Sequence, residues 1–225
     1  MHRRFVLLAL PLALALTAAA PPARHAPAPP APLPDIVRVA LTTEKGVITV
    51  DLDAKHAPVT VANFLRYVDQ RRFDGITFYR AMHLDWGKPP NGLIQAGQRN
   101  PKLRLPPIAH EPTSQTGLLH KAGALSMARN APGTAVADFS ILLSDMAGLD
   151  ADPASPDPER KAGFAVFGHV VSGMDVVRLI WDSPRSATLG VGVMKGQMLA
   201  PEIRVLTARR VAMPPAAVPA APPAP

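Results

Sequence analysis

The chain has 225 residues, with 24 Lys and Arg, 17 Asp and Glu, 27 Pro and no Cys, enough for one well-filled core and short for two. Without Cys there is no disulfide framework, thiolate metal site, Cys nucleophile or lipidated Cys anchor, and 5% aromatic residues leave little for a nucleic-acid stacking platform. Residues 1–34 hold three Arg and no acid, so without them the net charge falls from +7 to +4, too little and too dispersed for a nucleic-acid stripe.

His2, Arg3 and Arg4 precede an apolar run over 5–16, and small residues follow over 17–20 ahead of Pro21. This is the layout of a secretory signal peptide. The expected product is a soluble periplasmic or secreted protein, cut after Ala19 or Ala20. Residues 21–34 contain seven Pro and residues 214–225 six. Such Pro/Ala sequence favours extended polyproline II and cannot bury enough apolar surface to fold. The expected organisation is a signal peptide over 1–20, a linker over 21–34, a folded domain over 35–211 and a disordered tail over 212–225. No later apolar run is long enough for a membrane helix.

Within the domain, residues 36–42 and 46–52 alternate in β fashion around a turn at 43–46, which predicts a hairpin. Pro58 suits the first position of a helix, where its missing N–H costs nothing. Val61, Phe64, Leu65 and Val68 then recur at helical spacing. Short apolar stretches follow at 76–79, 93–94, 124–128, 139–143 and 164–171, separated by loops dense in Pro, Gly, Asn and Asp. A second helix is expected over 173–181, with Met174, Val177 and Trp181 on one side, and a last strand over 202–211. Many short strands with two amphipathic helices point to a closed antiparallel β-barrel whose ends the helices plug.

Several segments carry polar groups between apolar neighbours: Phe78-Tyr79-Arg80, Leu93-Ile94-Gln95-Ala96-Gly97, Leu125-Ser126-Met127-Ala128-Arg129, Asp138-Phe139-Ser140-Ile141 and Phe164-Ala165-Val166-Phe167-Gly168-His169-Val170. Other patterns fail. His110-Glu111 begins like a zinc-protease helix, but Ser114 stands where the second His is required. The seven His have no metal-ligand spacing, and Ser126 lacks the Gly-x-Ser-x-Gly elbow of a serine hydrolase.

In this order, and together with Ala57-Pro58-Val59-Thr60-Val61-Ala62-Asn63-Phe64 and Phe73-Asp74-Gly75, the segments resemble the cyclophilin family of peptidyl-prolyl cis–trans isomerases, in particular its secreted bacterial members. The resemblance covers about residues 36–210. It implies an all-β-dominated, cyclophilin-like fold: an eight-stranded antiparallel barrel capped by two helices, with the active groove on its outer wall. Arg80 falls on the family's catalytic arginine and Gln95 on its substrate-contacting glutamine. Leu93 falls on an apolar pocket position, Ala128 and Arg129 on the strip that pairs with the substrate backbone, and Leu149 on a pocket leucine. The implied partners are proline-containing polypeptides met by a monomer.

The residue types suit the chemistry. Twisting an X–Pro amide forfeits its resonance, a barrier of roughly 18–20 kcal/mol. No bond between heavy atoms changes, so no nucleophile, metal or redox cofactor is called for. The twisted nitrogen regains a lone pair that a forked, permanently charged donor can bond only in the transition state. The chain departs from the family pattern at the groove. Gly92 replaces a pocket Phe, Asp138 a Gln, Ser140 the Phe of the pocket floor, Gly148 an aromatic, and Phe164 a His. Two insertions occupy 81–91 and 152–161. Asp138 is expected to pair with Arg80, and Phe164 or Trp86 to refill the space left at Ser140. An eroded floor also admits a catalytically weak proline-binding module or holdase.

Overall fold

The computed structural model describes residues 33–213. The expected signal peptide, nearly all of the linker and the Pro/Ala tail from residue 214 lie outside the described residues. Eight antiparallel strands close into a barrel: β1 (Ile36–Thr43), β2 (Gly46–Asp53), β3 (Thr77–His83), β4 (Gly92–Gly97), β5 (Ala124–Met127), β6 (Phe139–Leu142), β7 (Ala165–Ser172) and β8 (Met198–Arg210). Around the barrel the order is β1-β2-β7-β5-β6-β4-β3-β8, with β8 returning to β1. The expected hairpin is β1–β2, paired from Ile36↔Asp53 to Thr43↔Gly46. Strand β8 begins four residues before the alternation predicted, because Met198 already pairs with Arg80.

Inward positions follow the pleat. Val37, Val39 and Leu41 of β1 and Ile48, Val50 and Leu52 of β2 are buried in one core cluster, as period-2 alternation demands. The predicted helices are α1 (Pro58–Asp69) and, after two single-turn helices α2 (Thr113–Thr116) and α3 (Pro158–Ala162), α4 (Met174–Trp181). The short helices escape prediction because a four- or five-residue turn carries no period to read. α1 follows the open end of the β1–β2 hairpin, and its Phe64 meets Phe73, Phe139 and Phe167 with ring centroids 5.0, 5.2 and 5.3 Å apart. α4 lies at the other end, where Val176 packs on the hairpin turn at Gly46. Trp181 stacks on His83 at 3.6 Å and donates its indole N–H to the Met82 carbonyl at 2.8 Å. The barrel interior is thus filled, and any site must lie on the outer wall.

Glu111, in the pair that only began a metal motif, has a structural role. Ala57 at the start of α1 has no side chain to cap the helix. Buried Glu111 instead accepts from Val59 N at 3.0 Å, Thr60 N at 2.8 Å and Thr60 Oγ1 at 2.7 Å. A carboxylate here meets both the orphan N–H groups and the positive end of the helix. Glu111→Ala is expected to lower the unfolding free energy by about 2–3 kcal/mol, with Glu111→Gln recovering part of it; urea denaturation of the three proteins checks this.

Candidate active site

The outer wall of the barrel carries one row of paired residues across five strands. Arg80 of β3 faces Gln95 of β4, Gln95 faces Ser140 of β6, Ser140 faces Ser126 of β5, and Ser126 faces Val166 of β7. Arg80 reaches this face through a register shift. Phe78 pairs with Ala96 and Arg80 with Gln95, so Tyr79 is an extra residue on β3. Strict alternation from inward Phe78 would send Arg80 into the core. The bulge reverses the phase, leaving Phe78 and Ala81 in the core cluster and Arg80 outside, a recognised way to re-aim a side chain.

A cleft of about 440 Å³ opens over this row, lined by Arg80, Leu93, Gln95, Ala128, Arg129, Asp138, Ser140, Leu149 and Phe164. The structure therefore brings together all nine residues singled out from the sequence. Arg80 Nε donates to Gln197 Oε1 at 2.8 Å, and Nη1 donates to Gln95 Oε1 at 2.9 Å. Nη2 lies 3.5 Å from the Met82 sulfur. A guanidinium has five N–H donors, so N–H groups on both Nη atoms remain for a ligand. Burial lowers the Arg80 pKa from its usual value, but arginine stays protonated across the neutral range.

Asp138 does not pair with Arg80 as expected. Its carboxylate accepts the Tyr79 hydroxyl at 2.8 Å, because the bulge that turns Arg80 toward Gln95 also brings Tyr79 to the outer face. Desolvation raises the pKa of Asp138, against the Tyr79 hydrogen bond, and raises that of Tyr79 well above its usual value. Both neighbours of Arg80 are thus neutral amides, and no carboxylate among the described residues pairs with it.

The two ends of the cleft differ in polarity. Leu93 forms a satellite apolar cluster with Leu142 and Met146, against which Met82, Leu84 and Leu149 pack. Two residues along β4 and β6, past Gln95 and Ser140, the lining turns polar with Asp138, Arg104, Asn130 and Thr134. Leu149 is tied down from two sides. Phe164 N donates to the Leu149 carbonyl at 2.9 Å, and the adjacent Asp150 accepts from His120 Nδ1 at 2.6 Å. Burial lowers the His120 pKa despite Asp150, so the neutral ring accepts the Ser126 hydroxyl at Nε2, 2.8 Å away.

The departures from the family pattern have local causes. Gly92 has φ +144°, and a Cβ there would lie 1.9 Å from the Met82 carbonyl oxygen, so no Phe fits. Trp86 does not refill the space at Ser140; it is 65% exposed on the first insertion, which Asn91 closes by donating to the Trp86 carbonyl. Phe164 does line the cleft. The Arg129 guanidinium carbon stands 4.6 Å from its ring centroid, and Arg129 is held by Glu159 at 2.8 Å and the Gly163 carbonyl at 2.5 Å. Glu159 belongs to α3 within the second insertion, so that insertion braces this wall. Arg129 is committed to the wall as much as to the cleft.

The comparisons agree with this geometry. Residues 38–207 match the family model "Cyclophilin type peptidyl-prolyl cis-trans isomerase/CLD". The chain belongs to the cyclophilin family. Its activity is accordingly peptidyl-prolyl cis–trans isomerisation of proline-containing polypeptides. Among curated relatives, peptidyl-prolyl cis-trans isomerase A of Dickeya dadantii is 36% identical over 143 residues, 61% of this chain and 67% of that one. The peptidyl-prolyl cis-trans isomerase of Acinetobacter baylyi is 34% identical over 153 residues, 66% of this chain and 73% of that one. Among solved structures, a Cryptosporidium parvum cyclophilin-type isomerase matches with TM-score 0.59 and 17% identity, covering 80% of this chain and 99% of its own; a second structure of it, obtained in the presence of the dipeptide Ala-Pro, matches with the same TM-score.

Residue motifs alone miss Tyr79, Met82, Arg104, Met194 and Gln197. Tyr79 and Met82 sit on the cleft side only because of the bulge, which changes no composition. Gln197 is 117 residues from Arg80 in sequence, in a loop with no motif around it.

Proposed function

We propose that Arg80 drives the isomerisation by donating to the proline nitrogen as the X–Pro amide twists, with the pyrrolidine ring seated among Met82, Leu93 and Leu149. The observation that carries this reading is the arginine itself, fixed at the cleft by two neutral glutamine oxygens with N–H groups to spare. In the planar ground state the amide nitrogen has no lone pair to offer. In the twisted state it does, so the hydrogen bond forms selectively in the transition state and lowers the barrier rather than KM. The apolar end holds the ring still while the acyl side turns. Gln95, which is buried beside Arg80, grips a substrate backbone group with its amide N–H, and the Ala128–Arg129 strip adds strand-like contacts.

Ser140 stands where the family has the Phe of the floor, so the aromatic seat is absent and proline is held mainly by the walls. The site therefore favours turnover of loosely held chains over tight binding. Arg80→Ala is expected to lower kcat/KM in a protease-coupled tetrapeptide assay at least tenfold, about 1.4 kcal/mol, mostly in kcat. Arg80→Lys should recover little, since a point-like ammonium cannot reproduce the planar fork whose separate nitrogens reach Gln197, Gln95 and the substrate. Equal kcat/KM for wild type and Arg80→Ala would sink the assignment and leave a proline-binding module.

The basic, apolar and small-residue layout of residues 1–20 supports export, and we place the working enzyme, a monomer, in the periplasm or outside the cell, acting on newly exported chains. Produced with its leader in a Gram-negative host, the protein is expected in the osmotic-shock fraction with its N-terminus at Ala20 or Pro21; a cytosolic product retaining Met1 contradicts this.

A further inference from the structure

The segment between Arg185 and Lys195 contains no charged residue, yet it lies on the surface. Leu189 is 55% exposed, Val191 85%, Val193 86% and Met194 38%. A valine normally seeks burial, and contiguous exposed apolar groups on a folded protein mark contact surfaces.

These side chains are held outward by backbone structure. The loop is closed at its base by Ser186 N to Met198 O at 2.8 Å and Ala200 N to Pro184 O at 2.9 Å. Its tip is folded on itself by Gly196 N to Leu189 O at 3.0 Å, Met194 N to Val191 O at 3.2 Å and Lys195 N to Gly192 O at 3.1 Å. At Gly190, φ is +97° and a Cβ would fall 2.3 Å from the Met194 carbonyl oxygen, so the tight tip requires glycine. With the backbone hydrogen-bonded within the loop, the two valines stand almost fully exposed.

The loop is continuous with the cleft. Met194 is one of the cleft-lining residues. Gln197, at the loop's end, receives the Arg80 N–H and donates its own Nε2 to the Val193 carbonyl at 2.8 Å. Ala81, next to Arg80, donates its N–H to the Gln197 carbonyl at 2.9 Å. The apolar loop therefore borders the cleft on the side of Arg80.

We propose that Leu189, Val191, Val193 and Met194 form an apolar brim that binds the continuation of the substrate chain, so that the enzyme prefers prolines flanked by apolar side chains in non-native polypeptides. The inference rests on the cleft being the proline site. A tetrapeptide is too short to gain from the brim, whereas an unfolded protein spans both. The brim supplies the apolar contact that the serine floor does not, and charge plays no part in it.

The test compares wild type with the double variant Val191→Ser, Val193→Ser. Both positions are more than four-fifths exposed, so the fold should be retained, and thermal unfolding verifies that. Two quantities are measured: kcat/KM for a neutral Ala-Ala-Pro-Phe tetrapeptide, and the inhibition constant of reduced, carboxymethylated α-lactalbumin in the same assay at 50 and 500 mM NaCl. The brim predicts tetrapeptide turnover within twofold of wild type, an inhibition constant raised at least tenfold, and no weakening by salt. An unchanged inhibition constant overturns the proposal, as does weakening by salt in the wild type. Equal loss of tetrapeptide turnover would show that the loop acts only by placing Gln197. Concentration-dependent dimerisation of the wild type, lost in the variant, would assign the patch to self-association instead. A wild type that binds the unfolded protein but does not turn over the tetrapeptide would refute the catalytic reading of the cleft and leave the brim standing.

Discussion

The site depends on how one half-buried cation is held without being neutralised. Arg80 is gripped by the side-chain oxygens of Gln95 and Gln197. An amide oxygen fixes the plane of a guanidinium, but unlike a carboxylate it leaves the full charge available for the lone pair that appears on a twisting amide nitrogen. The acid among the residues that line the cleft, Asp138, is occupied by the Tyr79 hydroxyl. One extra residue in β3 produces both outcomes, because the bulge puts Tyr79 and Arg80 side by side on the outer face. The fold contributes rigidity: β3 is locked between β4 and β8, and its far end is pinned by the stack of His83 on Trp181.

Around this arginine, the cleft is lined by separate walls and has no aromatic residue at its floor. The floor is a serine, the apolar end is built from Met82, Leu93 and Leu149, and the opposite wall is an aromatic ring covered by an arginine that α3 braces. Each wall is secured from behind: Leu149 through the Asp150–His120–Ser126 chain, and Phe164 through Arg129 and Glu159. Both insertions therefore belong to the neighbourhood of the cleft.

Much of the architecture could be read from residue patterns, for reasons that are local. The β1–β2 hairpin and α1 announce themselves by period and by Gly46 and Pro58, and the order of short segments around Arg80, Gln95 and Phe164 points to the barrel. What escaped prediction is non-local. The Arg80–Gln197 contact spans 117 residues, and the Glu111 cap on α1 spans 51 or 52. The expected Asp138–Arg80 pair failed because the bulge also brings Tyr79 to the outer face, where its hydroxyl engages Asp138, and charge complementarity alone gives no sign of that third group. Gly92 illustrates the converse: its departure from the family's aromatic looks like erosion in sequence, yet in space it follows from the close approach of the Met82 carbonyl.

The claim that neutral partners keep Arg80 available is tested most directly by Gln197→Glu, which keeps the size and the oxygen that accepts from Arg80 but adds a negative charge, at the cost of the amide N–H given to the Val193 carbonyl. The measurement is kcat/KM for a neutral tetrapeptide at pH 7.5, with thermal unfolding as a check on folding. The account predicts at least a fivefold fall, about 1 kcal/mol, carried by kcat with KM little changed. Turnover equal to or above that of wild type would contradict it, showing that Arg80 needs only to be positioned and not to be left unpaired.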